Sequence, residues 1–153
     1  MSTTYTQLLI HIVLVVRNRS ALINLDWEEN LYRYINVAMN DMDSKPLAVN
    51  GMPDHVHILA LQNKNVGLSR IIQRIKINTT NWINKNRFTK GKFRWQQGYA
   101  AFSVSRSKLG VVRNYIINQK AHHKNETFPE EFKRIMMERD LYYKQKYGFT
   151  VPQ

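Results

Sequence analysis

The chain contains no cysteine. That excludes disulfides and thiolate metal sites, and it is what a reducing cytoplasm permits, which is the compartment expected here. Acidic residues are scarce: 11 Asp and Glu stand against 23 Lys and Arg, a formal charge of +12. A small domain with that excess attracts a polyanion, and nucleic acid is the commonest one. Long hydrophobic runs are also missing. The stretch Leu8 to Val16 is interrupted by His11 and falls far short of the roughly 20 residues of a membrane span. It lacks the small-residue cleavage site of a signal peptide. The basic residues do not lie opposite a continuous Trp/Leu-rich helical face, so an anionic membrane surface is a poor partner. No internal repeat, low-complexity tract or linker divides the chain.

What is present fits one folded domain. Hydrophobic residues make up 43% of 153 positions and aromatics 11%, which argues against disorder. Gln7 to Arg17 is dense in β-branched residues and reads as a central strand buried on both faces. A helix follows from Asn24, with Asp26 as its expected cap, Glu29 as the reciprocal partner, and Trp27, Leu31, Ile35, Ala38 and Met42 as its core face. Pro46 to Asp54 predicts a short strand entering a tight turn, and His55 to Gln62 another strand. A second helix is expected over about Ser69 to Asn84. Asn86 to Gly98 has no period and reads as a loop, Tyr99 to Val104 as a strand, Ser107 to His122 as a third helix. Thr127-Phe-Pro-Glu opens a last helix with a capping-box pattern, and a polar tail follows.

The first six elements have the β-α-β-β-α-β order of a ferredoxin-like sandwich, an α+β fold with a mainly antiparallel sheet and helices on one face. The expectation is a single domain over 1–153, with a core of about 7–123 and a C-terminal helical extension over 124–153.

Two patterns carry chemistry. His55 and His57 lie two apart on a strand, so both imidazoles project from one face while Val56 and Ile58 take the other. Such a pair can grip one divalent ion, although many His-x-His pairs are solvent-facing or simply hydrogen-bonded. Tyr115 and Gln119 lie four apart on the third predicted helix and share its side, with Leu109, Val112 and Ile116 as a neighbouring apolar stripe. Alone, Tyr115 reads as a packing residue. His11 reads as a satisfied core residue, and His122 and His123 as surface groups at a helix end.

Together, Pro53-Asp-His-Val-His-Ile-Leu59 and Tyr115-Ile-Ile-Asn-Gln119 resemble the HUH nucleases, in which U is any hydrophobic residue. Within them the chain is similar to the single-tyrosine transposases of small bacterial insertion sequences, with weaker echoes at Arg17 and Trp95 to Val104. The related transposases of repeated palindromes usually follow the tyrosine with an Asn-Pro pattern. Ile-Ile-Asn-Gln after Tyr115 favours the insertion-sequence branch. The resemblance spans about residues 7–123. It implies Tyr115 as nucleophile, His55, His57 and Gln119 as ligands of Mg²⁺ or Mn²⁺, and a homodimer acting on single-stranded DNA with hairpins at its ends. Asp54 is placed to orient a histidine.

A phenol is a poor nucleophile at neutral pH, so the phosphodiester has to be made more electrophilic. Two imidazoles and an amide oxygen are neutral and leave an ion its full charge for that purpose. For DNA binding, Arg70, Arg74, Lys76, Lys85, Arg87, Lys90, Lys92 and Arg94 concentrate on the second helix and the following loop, interleaved with Phe88, Phe93 and Trp95. Phosphate attraction with base stacking is the usual grip on single strands. A DNA hairpin is expected against this region. A non-catalytic nucleic-acid-binding module on the same fold remains the alternative, and it would need exposed aromatics on the central strands. A third reading keeps the nuclease chemistry and assigns it to replication or a domesticated host role.

Overall fold

The structure is a computed structural model and describes residues 3–138. Four strands form one antiparallel sheet: β1 (Leu9–Val15), β2 (Lys45–Met52), β3 (His55–Leu61) and β4 (Ala100–Ser103), in the order β2-β3-β1-β4. With α1 (Leu25–Asn40) after β1 and α2 (Leu68–Lys85) after β3, this is the expected β-α-β-β-α-β arrangement. Chain boundaries differ from the sequence reading by a few residues at most elements. At α1 the cap is Asn24 rather than Asp26, its side chain accepting from the Asp26 backbone N–H at 2.9 Å.

Alternation along β1 and β3 sorts the core into two layers. Ile12, Leu14, Val16, Val56, Ile58 and Ala60 face α1 and α2, where Trp27, Leu31, Ile35, Ile71, Ile72 and Ile75 cover them. The opposite face departs from the expected architecture, because it is covered as well. There α3 (Leu109–Ile117), α4 (Gln119–His122) and α5 (Phe128–Glu138) follow β4, and Phe128, Phe132 and Ile135 pack on Val13, Val15 and Phe102. Ile116 packs on Leu9, Leu59 and Val104. Helices on both faces explain why β1 is apolar on both sides.

The third predicted helix is two segments. Asn118 between them departs from helical geometry (φ −95°, ψ 21°), so Tyr115 sits on α3 and Gln119 opens α4. The last helix begins as expected: the Thr127 N–H donates to Glu130 Oε2 at 3.2 Å and the Glu130 N–H to Thr127 Oγ1 at 3.4 Å. Of the expected extension over 124–153, positions 139–153 lie outside the described residues. No helix among the described residues is long and apolar enough to cross a membrane.

Candidate metal and nucleophile site

The two-residue turn Pro53-Asp54 joins β2 to β3 and aims His55. Gly51 makes that turn possible, since a Cβ there would stand 2.1 Å from the His55 carbonyl oxygen. The Val16 N–H donates to the Asp54 carbonyl and the Ile23 N–H to that of Pro53, each at 2.9 Å, so the turn is tied to the chain leaving β1. His55 and His57 then project from the face under α3–α5, and both are fully buried.

Each imidazole is held from behind. His55 Nδ1 lies 2.6 Å from Asp54 Oδ1, and His57 Nδ1 lies 2.8 Å from His11 Nε2. The backing atoms leave both Nε2 atoms pointing inward, the arrangement typical of metal-binding histidines. They meet Glu131 of α5, whose Oε1 is 3.2 Å from His55 Nε2 and 3.0 Å from His57 Nε2. Gln119 Oε1 stands 3.3 Å from His55 Nε2, and Gln119 Nε2 donates to Glu131 Oε2 at 2.9 Å. The Tyr115 hydroxyl donates to Glu131 Oε2 and accepts from Arg134 Nη2 at 2.9 Å. Arg134 is gripped by both oxygens of Glu126, at 2.9 and 3.0 Å.

The electrostatics follow from this crowding. Burial pushes Glu131 toward the neutral acid, but contacts with His123, His55 and His57 outweigh it and hold the carboxyl far below its ordinary range. Burial opposes charge on His55, yet acceptors at both ring nitrogens, Asp54 and Glu131, raise its pKa. His57 has no carboxylate behind it, and burial lowers it. Burial and then the Glu131 charge push the Tyr115 phenol upward, while Gln119 and Arg134 act the other way.

His55, His57 and Glu131 offer ligand atoms all within 4.8 Å of one another. His123 Nε2 is buried, 3.2 Å from Glu131 Oε1, and makes no directed hydrogen bond. An orphaned imidazole nitrogen aimed at the point where two others and a carboxylate converge suits a divalent-cation site, so the residues fit a divalent metal. Beside them opens a cleft of about 600 Å³, lined in part by Arg19, Asp54, His123 and Phe128.

Sequence reasoning brought His55, His57, Gln119, Tyr115 and Asp54 to one place and missed three partners. Glu131 and Arg134 gave no local signal, being charged residues on an ordinary amphipathic helix. His123 is a correction: its side chain is buried against Glu131 and His55 rather than lying at the surface. His122 is exposed, as expected, although its ring lies 4.5 Å from that of Tyr115, while the other four histidines gather at the site.

The expected DNA-binding set divides. Arg70, Arg74, Lys85, Arg87, Lys90, Lys92 and Arg94 are exposed. Trp95 is not available for base stacking, because it is buried and its indole N–H donates to Thr79 Oγ1 at 2.9 Å. Phe93 is fully buried beside it. Lys76 spends its ammonium on the carbonyls of Gln96 and Gly98, at 2.8 and 2.7 Å, and burial lowers its pKa. Helix α2 lies across the sheet from the histidines, whereas the loop after it returns to their end, where the Arg17 N–H donates to the Arg94 carbonyl. The aromatics required by a non-catalytic sheet-binding module are absent from the described strands' surfaces, since β1 and β3 are covered on both faces.

The profile of the family described as IS200-like transposases matches residues 4–119. The chain belongs to that family. As a transposase it is a DNA-cleaving enzyme of DNA recombination, and solved structures share its fold. A candidate transposase from Deinococcus radiodurans R1 superposes with a TM-score of 0.63 at 18% identity, covering 78% of this chain and 95% of that one. A REP-associated tyrosine transposase bound to a REP hairpin superposes with a TM-score of 0.61 at 17% identity, covering 80% and 73%. Among curated proteins nothing matches this transposase. The family match ends at Gln119, so α5 with Glu131 and Arg134 lies beyond it.

Proposed function

We propose that this transposase cuts and rejoins single-stranded DNA at hairpin-marked ends through a 5′-phosphotyrosine on Tyr115. One observation carries the reading: the Tyr115 hydroxyl and the Nε2 atoms of His55 and His57 converge on a single carboxylate, Glu131. A nucleophile and a cation site are thereby within reach of one phosphate. His55, His57 and Gln119 would hold Mg²⁺ or Mn²⁺, and Glu131 would add a charged donor that the sequence motifs lack. When bound, the ion polarises a phosphate oxygen and stabilises the leaving 3′-oxygen.

The chain's own groups do the rest. Asp54 and His11 fix the two rings from behind. Glu131 Oε2 accepts the phenolic hydrogen bond and orients the hydroxyl. Attack by Tyr115 Oη forms an O–P bond and breaks the bond to the 3′-oxygen, which leaves as a hydroxyl. The phosphotyrosine conserves the energy of the cut linkage, so another 3′-hydroxyl can reverse the step without ATP. One tyrosine per chain performs one attack at a time, and exchanging two ends therefore calls for a homodimer. A structural relative bound to a REP hairpin supports hairpin DNA as the substrate. The exposed cations of α2 and the following loop supply the phosphate attraction, and cytoplasmic DNA is the setting.

The test mixes the full chain with labelled hairpin oligonucleotides carrying the DNA that flanks its gene, with Mn²⁺ or with a chelator. A denaturation-resistant adduct is expected only with metal, and Tyr115→Phe is expected to abolish it while hairpin binding survives. An adduct formed by Tyr115→Phe would remove the nucleophile assignment.

A further inference from the structure

Helix α5 brings more than a cap to the site. Arg134 reaches back from one turn beyond Glu131, and its Nη2 is 2.9 Å from Tyr115 Oη. Its guanidinium carbon lies 5.3 Å from the centre of the Tyr115 ring. Nε and the same Nη2 also donate to Glu126, at 3.0 and 2.9 Å, and Nη1 donates to Glu138 at 3.2 Å, so the group is fixed in direction. It is the only cation that the described residues place on this oxygen by hydrogen bond, opposite a carboxylate that disfavours negative charge there.

We propose that Arg134 is a catalytic residue, a cation that stabilises negative charge on Tyr115 Oη in both directions of the reaction; this rests on Tyr115 being the nucleophile. In cleavage the phenolic proton is lost to solvent, the Oη–P bond forms, the P–O3′ bond breaks, and the 3′-oxygen takes a proton from water. In rejoining, a 3′-hydroxyl attacks phosphorus and loses its proton to water, the Oη–P bond breaks, and the electron pair stays on the phenolate oxygen until water reprotonates it. Both transition states carry charge on the same atom, and Arg134 already donates to it. A planar, permanently charged fork suits this duty better than an ammonium, because its Nε–Nη2 edge anchors to Glu126 while Nη2 also donates to the oxygen.

The experiment measures single-turnover adduct formation on a hairpin oligonucleotide with Mn²⁺, and release of the adduct by an added 3′-hydroxyl strand. Arg134→Ala is expected to slow both by about 10- to 100-fold, below the loss seen for a fully enclosed oxyanion donor because Arg134 is half-exposed. Hairpin affinity should be unchanged. Arg134→Lys should recover part of the rate, and added guanidinium should restore part of it to Arg134→Ala. Equal adduct rates in Arg134→Ala and the parent overturn the proposal. So does a loss matched by Glu126→Ala, which breaks the same ion pair, with no rescue of either by guanidinium, since that marks a role confined to pinning α5. Tyr115→Phe run alongside separates the two levels: an adduct there removes the nucleophile itself, whereas a dead Tyr115→Phe with an unimpaired Arg134→Ala removes only Arg134.

Discussion

Glu131 is an ionised carboxylate with no solvent exposure, held by three imidazoles, an amide and a phenol. Its folded pKa lies below its unfolded one, which is about 4.3. The stabilisation it brings is therefore present above that pH and is lost as pH falls below it. Thermal melts in chelator should show a steep acid limb for the parent chain and a flatter one for Glu131→Gln; parallel limbs would mean that the carboxylate is not the group responsible. Glu131→Gln should also weaken Mn²⁺ binding measured by calorimetry by about tenfold or more, the usual scale for losing a group that supports a metal site. Gly51 makes a second prediction. Alanine there drives its Cβ into the His55 carbonyl, so the β2–β3 turn must open. Gly51→Ala should cost at least about 2 kcal/mol in urea unfolding, with the same m-value if the fold is otherwise kept.

At the scale of elements, the end of α2 stores strain. Arg87 follows the Asn86 cap with φ 54°, a left-handed conformation that costs a residue with a Cβ roughly 1 kcal/mol. Arg87→Gly should raise stability by up to that amount in chemical denaturation and lower hairpin affinity through the lost charge. A gain in both would remove Arg87 from the DNA surface. The elements also explain what could be read in advance. The two-residue period around His55 and His57 is a backbone property, and it fixed their shared face before any contact was known. The Thr127 capping box likewise marked the start of α5. Which face of α5 turns inward depends on Phe128, Phe132 and Ile135 docking on β1 and β4, a tertiary event with no local signature. That docking delivers Glu131 and Arg134. Trp95 misled for the opposite reason: a basic, aromatic loop has no period, and nothing in its sequence reveals that its rings fill a core.

Seen whole, the molecule puts the exposed cations of α2 and its reactive groups on different sides of one sheet. The α2 cations lie behind it, the histidines and Tyr115 in front, and the loop to β4 bridges them at the β1 end. DNA bound to both must pass around that end. Its attachment should be strongly salt-dependent: for four phosphate contacts, affinity falls by about a hundredfold between 50 and 200 mM salt. A slope near zero in a titration of hairpin affinity against salt would deny the basic surface its role. The site itself is drawn from the whole length of the described chain: His11 from the first strand, His55 and His57 from the third, Tyr115 and Gln119 flanking the break at Asn118, and Glu131 and Arg134 from the last helix. Contacts so distant in sequence slow folding, because the entropy of closing the loops between them must be lost first. During synthesis the histidine pair emerges more than seventy residues ahead of the carboxylate that unites it with the tyrosine. A ribosome-bound fragment ending before α5 therefore exposes DNA-attracting charge without the assembled centre, and the full constellation exists only in a chain whose translation has passed Arg134.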